Sequence, residues 1–368
     1  MRAIVLLAAL TFATAASLEA QWQLQDSRTT ADLRGIDNVG KGVAWASGSD
    51  GTILRTEDAG LMWQLCAKPP GGEHLDFRAI QAFDNNTAIV MSSGKGDQSR
   101  LYKTTDGCQT WKLVLTNPDK DGFWDALQAN PSDGILLGDP VKDHFTTELI
   151  NLDNPKLSRP TGHTQARARA GEGAFAASNS SLFVEDPFFT FWFGTGGPQG
   201  ARIYRRTNHD FDSFGFDTFT RVDVPIGSKS ASSGVFSLAF RPSDVQPRSH
   251  ENGFFAGVAV GGDYKAPNKA NRTAVWTDDG GKTWTAAITP PHGFRSAVAY
   301  DVKSNTWITV GPNGTDISTD DGHNWRALRP DPKFNDAPDA DQHWNALSLP
   351  FVVGPHGRIG TLRPPALK

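Results

Sequence analysis

Short apolar runs, each interrupted by polar residues and closed by glycine, recur along nearly the whole chain. The segments LRGID (33–37), FRAIQAF (77–83), WDALQAN (124–130), EGAFAAS (172–178), GVFSLAF (234–240), FRSAVAY (294–300) and WNALSLP (344–350) align without gaps. A second apolar run follows each of them, as in VAWASG, AIVMSSG, GVAVGGD and WITVGPNG. Runs this short, rich in β-branched and aromatic residues and punctuated by glycine, read as strands rather than helices.

A third pattern links the later strands of each unit. Ser/Thr-x-Asp-x-Gly-x-x-Trp occurs at 56–63 (TEDAGLMW), 277–284 (TDDGGKTW) and 318–325 (STDDGHNW), and at 104–111 (TTDGCQTW) with Cys108 in place of the glycine. Strand-like runs lie on both sides, so each copy sits in a hairpin. An aspartate there accepts the backbone N–H groups just after it, a glycine two positions later supplies a positive φ, and the tryptophan packs on the sheet. Asp58, Asp106, Asp279 and Asp320 are therefore expected to hold turns and to do no chemistry.

Seven units of strand, strand, strand, hairpin, strand predict an all-β chain folded as a seven-bladed β-propeller. Blades 3 and 4 lack the hairpin motif, with ELINLDNPKL and RTNHDFDSFGFD in its place, and blades 4 and 5 carry extra length. The last unit ends one strand short, while QWQLQD near the start resembles the fourth-strand openings MWQLC and TWKLV. Trp22 to Gln25 are thus expected to complete blade 7, with Trp22 in the core and no unpaired edge left between first and last blades. Residues 21–368 then form one domain without a linker.

Composition supports this picture. The 37 Gly, 23 Pro, 11 Trp and 22 Phe among 368 residues suit a turn-rich, aromatic-rich β protein. A formal net charge of −4 argues against nucleic acid and anionic membrane surfaces as partners. Residues 1–20, MRAIVLLAALTFATAASLEA, read as a secretory signal, which places the mature chain in a secreted or periplasmic location. No later stretch approaches the ~18 apolar residues of a membrane span. Two cysteines, Cys66 and Cys108, allow one pairing at most and exclude a zinc site made of cysteine alone; whether they are bonded stays open.

The motifs LRGI, WASGSDGTILRTEDAG, LDFRAI, GDPV, EGAFAAS, GTGG, GGDY and FRSAVAY resemble secreted bacterial propellers with Asp-box (BNR-type) repeats, related to photosystem II assembly and stability factors. The likeness runs through nearly the whole mature chain. It implies Asp-box hairpins and a binding or assembly role; nothing in the sequence indicates a photosynthetic partner. Sialidases share the Asp-box and the propeller. Their activity is associated with an arginine cluster, a Tyr/Glu nucleophile pair and an acid–base aspartate, but their Arg-Ile-Pro motif is not found, LRGI standing in the comparable region.

Propeller ligands usually meet the face opposite the Asp-box hairpins. Arg34, Arg78 and Arg295 occupy one position of the aligned repeat, in blades 1, 2 and 6, and would converge on a carboxylate, sulfate or phosphate. Asp125 shares that position, Glu172 precedes it by one, Asp263 ends the second strand of blade 5 and Tyr264 follows it directly. These seven are the candidate ligand-binding residues. The alternative is that the arginines form inter-blade ion pairs with Asp125, Glu172 and their neighbours. No HExxH or paired histidines, dinucleotide fingerprint or GxSxG elbow accompanies them, so neither metal nor cofactor is expected. The expected function is a non-catalytic binding or assembly module contacting a protein or an anionic ligand or glycan at the channel mouth. A sialidase-like or other glycoside hydrolase is the runner-up.

Overall fold

The computed structural model describes residues 22–154, 156–158, 165–185, 190–207, 218–242, 256–330 and 336–363. Residues 1–20, read above as a secretory signal, and most of RTNHDFDSFGFD lie outside them. The described residues form seven antiparallel sheets of four strands, a seven-bladed propeller. Blade 1 runs outward through Leu33–Gly40, Val43–Gly48, Ile53–Thr56 and Gln64–Leu65. The inner strands of blades 2 to 7 are Phe77–Ala82, Trp124–Ala129, Leu182–Glu185, Ser233–Phe240, Ala297–Asp301 and Ala346–Ser348.

Blade 7 is completed by the chain's own beginning. Trp22–Gln25 pairs antiparallel with Ile359–Leu362, in the register Trp22↔Leu362 to Gln25↔Ile359. Trp22 is 1% exposed and packs with Trp344 and with Ile308, Val310 and Ile317 of blade 6. Its indole Nε1 donates to Thr315 Oγ1 at 3.0 Å.

The four repeated hairpins share one set of bonds. Thr56 Oγ1 donates to Asp58 Oδ1 and accepts the Gly60 N–H, while Asp58 Oδ1 accepts the Met62 N–H at 2.9 Å. Asp106, Asp279 and Asp320 accept the N–H of Thr110, Thr283 and Asn324 in the same way, at 3.0, 2.9 and 3.0 Å. Two successive residues adopt positive φ in each turn, as at Ala59 and Gly60. The tryptophans reach across to the preceding blade. Trp63 meets Phe351 of blade 7 and Trp111 meets Trp45 of blade 1, both edge to face.

Cys66 and Cys108 are disulfide-bonded, joining the end of blade 1 to the hairpin of blade 2 across 42 residues of sequence. Cys108 stands where the other hairpins have glycine and holds φ 64°. Cys66→Ala with Cys108→Ala is expected to lower stability by about 2–4 kcal/mol through the freed unfolded chain. Cys66→Ala with Cys108→Gly should recover about 1 kcal/mol of that, since glycine meets the positive φ without a Cβ clash. Denaturant midpoints of the three proteins check this; equal losses in both variants contradict it.

Two expectations need correction. EGAFAAS is not the inner strand of blade 4. Gly173 pairs only with Gly196, and the chain then leaves the sheet before Leu182–Glu185 takes the inner position. The alignment is also shifted by one residue in blades 5 and 6. In blade 2 the hairpin's Thr104 pairs with Ala88, and Met91, three residues further along that strand, pairs with Ala79. In blade 6 Ser318 pairs with Trp307, and Val310 pairs with Ala297. Ala297 is thus the counterpart of Ala79, and Ser296, not Arg295, the counterpart of Arg78. Arg295 falls on a buried core position.

Candidate functional site

The inner strands begin on the face opposite the hairpins, and three candidates sit where their ladders skip a residue. Register shifts fall at Arg34, Arg78 and Asp125, and at Phe236 in blade 5. A bulge of this kind turns a side chain out of the regular alternation, here toward the channel mouth. Arg78 Nε donates to Asp76 Oδ2 at 2.7 Å and Nη1 to the Ala176 carbonyl at 3.1 Å. Arg34 is held less firmly: its nearest carboxylates, Asp32 and Asp76, each stand 3.9 Å away, and its Nε has no hydrogen-bond partner. Asp76 therefore bridges blades 1 and 2. The sequence carries a signal for this pairing in the spacing Asp-x-Arg, which repeats at Asp32–Arg34 and Asp76–Arg78.

Asp125 lies beneath this rim, buried, with Oδ2 unpartnered. Burial pushes its carboxyl well above the usual range, neighbouring Asp139 adds to the rise, and Arg78 opposes it. Asp139 is raised by burial to about 6, against one hydrogen bond of 3.0 Å from the Ala174 N–H. It opens on a cavity of about 790 Å³ at the mouth of blades 3 and 4, shared with Phe123, Lys142, Arg167 and Phe175. An acid whose folded pKa is raised contributes its stability fully below the unfolded value of 3.8 and loses it as pH climbs toward 6. Asp139→Asn is accordingly expected to stabilise the protein by about 2 kcal/mol at pH 8 and to leave it unchanged at pH 3.5. Melting curves at the two pH values check the sign; an equal effect at both contradicts it.

The segment after Gly173 crosses the channel. Asn179 Oδ1 accepts the Leu127 N–H of blade 3 and Nδ2 donates to the Ile80 carbonyl of blade 2, while Ser180 meets Ser237 of blade 5 at 2.7 Å. Glu172 anchors the start of this crossing. Its buried carboxylate is gripped by Arg202 through Nε and Nη2 and also accepts from Thr195 Oγ1 and the Arg169 N–H. Burial pushes its pKa upward, but these donors hold it below the usual carboxylate range.

The remaining candidates are dispersed. Asp263 accepts from Ser228, Ser230, Ser232 and the Lys265 N–H; burial works against them, yet they lower its pKa to about 2. Tyr264 is 47% exposed and borders an aromatic cluster in which Phe236 stacks on Phe175 at 4.0 Å and meets Phe294 edge to face. Arg295 is 0% exposed and bound to Asp316 and Asn313 within blade 6. The structure thus brings Arg34, Arg78 and Asp125 together and leaves Glu172, Asp263, Tyr264 and Arg295 in separate surroundings. Arg34 and Arg78 take Asp32 and Asp76 as partners rather than Asp125 and Glu172.

No known family model matches the chain, and no curated protein matches it. Among solved structures, YCF48 from Cyanidioschyzon merolae is similar over 94% of this chain and 99% of its own, with 15% identity and a TM-score of 0.60. A structure of YCF48 bound to D1 peptide covers 94% of this chain and 98% of its own at 14% identity, also with a TM-score of 0.60. The WD40 β-propeller domain of Doa1 follows at 10% identity and a TM-score of 0.55, covering 94% and 97%. At these identities the likeness is one of fold.

Proposed function

We propose that this chain is a non-catalytic, partner-binding propeller of the assembly-factor kind, and that it takes an extended peptide segment of a protein partner at the channel mouth. The observation that carries this reading is the Arg34 guanidinium: 30% exposed, with its nearest carboxylates 3.9 Å away, it retains donors for an incoming carboxylate or backbone carbonyl. On the same face, the 790 Å³ cavity of blades 3 and 4 has room for side chains, and the half-buried Phe175 gives it an apolar wall. That a YCF48 propeller of similar fold has been solved with a D1 peptide supports a peptide as the occupant. A hydrolase is poorly served here, because Glu172 is locked to Arg202 and Asp263 is saturated by three serines. The disulfide and the leader-like first twenty residues support an exported location, secreted or periplasmic.

The test is selection of a displayed peptide library on the purified protein, followed by affinity measurements on variants. Arg34→Glu is expected to weaken the selected peptides at least about tenfold, the loss of one charge-assisted contact. Lys282→Glu, on the hairpin face, serves as the control and should leave binding unchanged. Equal affinity for wild type and Arg34→Glu contradicts the assignment of the face.

A further inference from the structure

Below the crossing segment the channel holds a second cavity, of about 140 Å³, walled by the inner strands of blades 1, 2, 3 and 7 and by Ser178, Asn179 and Ser180. Asp37 is the sole ionisable group among the described residues that line it. Its Oδ2 accepts from Gln81 Nε2 at 3.0 Å and from the Ala82 N–H at 2.7 Å, and among the described residues no cationic side chain lies within 4.0 Å of its carboxylate. The two glutamines of the wall are turned the same way. Gln81 directs its amide donor to Asp37, and Gln128 directs its donor to the carbonyls of Asn179 and Leu182, which leaves both side-chain carbonyl oxygens as acceptors. The chamber thus combines one carboxylate with neutral oxygens and has no positive charge. Asp37 is part-buried, and an ionised carboxylate drawn partly out of water without a counter-charge is costly, which favours uptake of a proton or a cation.

We propose that this chamber binds one small monovalent cation, an alkali ion or ammonium, with Asp37 as its counter-charge and the carbonyl oxygens of Gln81 and Gln128 as neutral ligands. A divalent ion is disfavoured because such sites generally draw on several carboxylates, whereas here a single one faces neutral oxygens. Water fills a polar chamber of this size readily but leaves the charge uncompensated. The site is separate from the mouth, and the inference stands apart from the partner-binding reading.

Burial raises the Asp37 carboxyl to about 6, so the group is ionised at pH 8 and mostly protonated at pH 5. Cation binding therefore belongs to the upper range and fades as pH falls through that value. The experiment melts the full chain in choline chloride and in chlorides of sodium, potassium and ammonium, at equal ionic strength. At pH 8 at least one small cation is expected to raise the melting temperature saturably, by roughly 3 °C or more over choline. That difference should vanish at pH 5 in the wild type, and at both pH values in Asp37→Asn, whose amide oxygen still accepts from Gln81 and Ala82. The comparison within wild type stands even where the variant folds poorly. Identical melting in all four salts at pH 8, or a cation effect that persists at pH 5 or in Asp37→Asn, overturns the proposal.

Discussion

Arg295→Met is expected to cost the folded protein about 3–5 kcal/mol, the penalty of leaving one member of a buried ion pair alone. Arg295 donates from Nε to Asp316 Oδ2 at 2.7 Å, again from Nη2, and from Nη1 to Asn313 Oδ1 and the Phe294 carbonyl. Asp316 is itself buried; burial pushes its pKa up, but His292 and Arg295 hold it below the usual range. Methionine fills much the same volume and offers no charge, so Asp316 loses its guanidinium counter-charge and keeps only His292. Combining Arg295→Met with Asp316→Asn should restore a large part of the loss, because the pair then leaves together. Denaturant unfolding of the two single variants and the double variant measures this coupling. A residue of the channel mouth would behave otherwise: its replacement would alter binding and leave the unfolding midpoint in place.

The second large effect is expected at the seam of the ring. Trp22→Ala should destabilise the fold by about 3–5 kcal/mol, as for other large aromatic-to-alanine changes in cores. The ring fills the contact between blades 6 and 7, and its Nε1 satisfies Thr315 Oγ1. Trp22→Phe keeps most of the packing and loses the hydrogen bond, so its cost should be about 1–2 kcal/mol. Because Trp22 sits in the fourth strand of blade 7, the alanine variant should also speed amide exchange along Ile359–Leu362, its pairing partner. Unchanged exchange there means that blade 7 does not depend on the added strand.

Periodicity made the architecture legible. The hairpin aspartates, the buried tryptophans and the return of Trp22 to the last blade all follow from repeated spacing, since each repeat solves the same packing problem. The mouth was harder to read because its residues are departures from the repeat. Phe294–Arg295 copies the dipeptide Phe77–Arg78, yet the ladder places it one residue earlier, which turns the guanidinium into the core. EGAFAAS has the apolar composition of a strand, but Asn179 and Ser180 find partners on three other blades and draw the chain across the channel. No local pattern reveals a contact such as that between Asn179 and Ile80. Arg202, the partner of Glu172, likewise lies in a strand whose neighbours at the mouth are set by the ring as a whole. The Asp-x-Arg spacing was present in the sequence, and it identifies the true partners of Arg34 and Arg78.

The claim that matters most is that the face opposite the hairpins receives the partner. Hydrogen–deuterium exchange of the full chain, with and without a peptide selected on it, tests this most directly. The account predicts slowed exchange at 32–36, 76–79 and 168–176, the rim and wall of the mouth, and no change at 56–63, 104–111, 277–284 and 318–325. Protection confined to those four hairpins would contradict it.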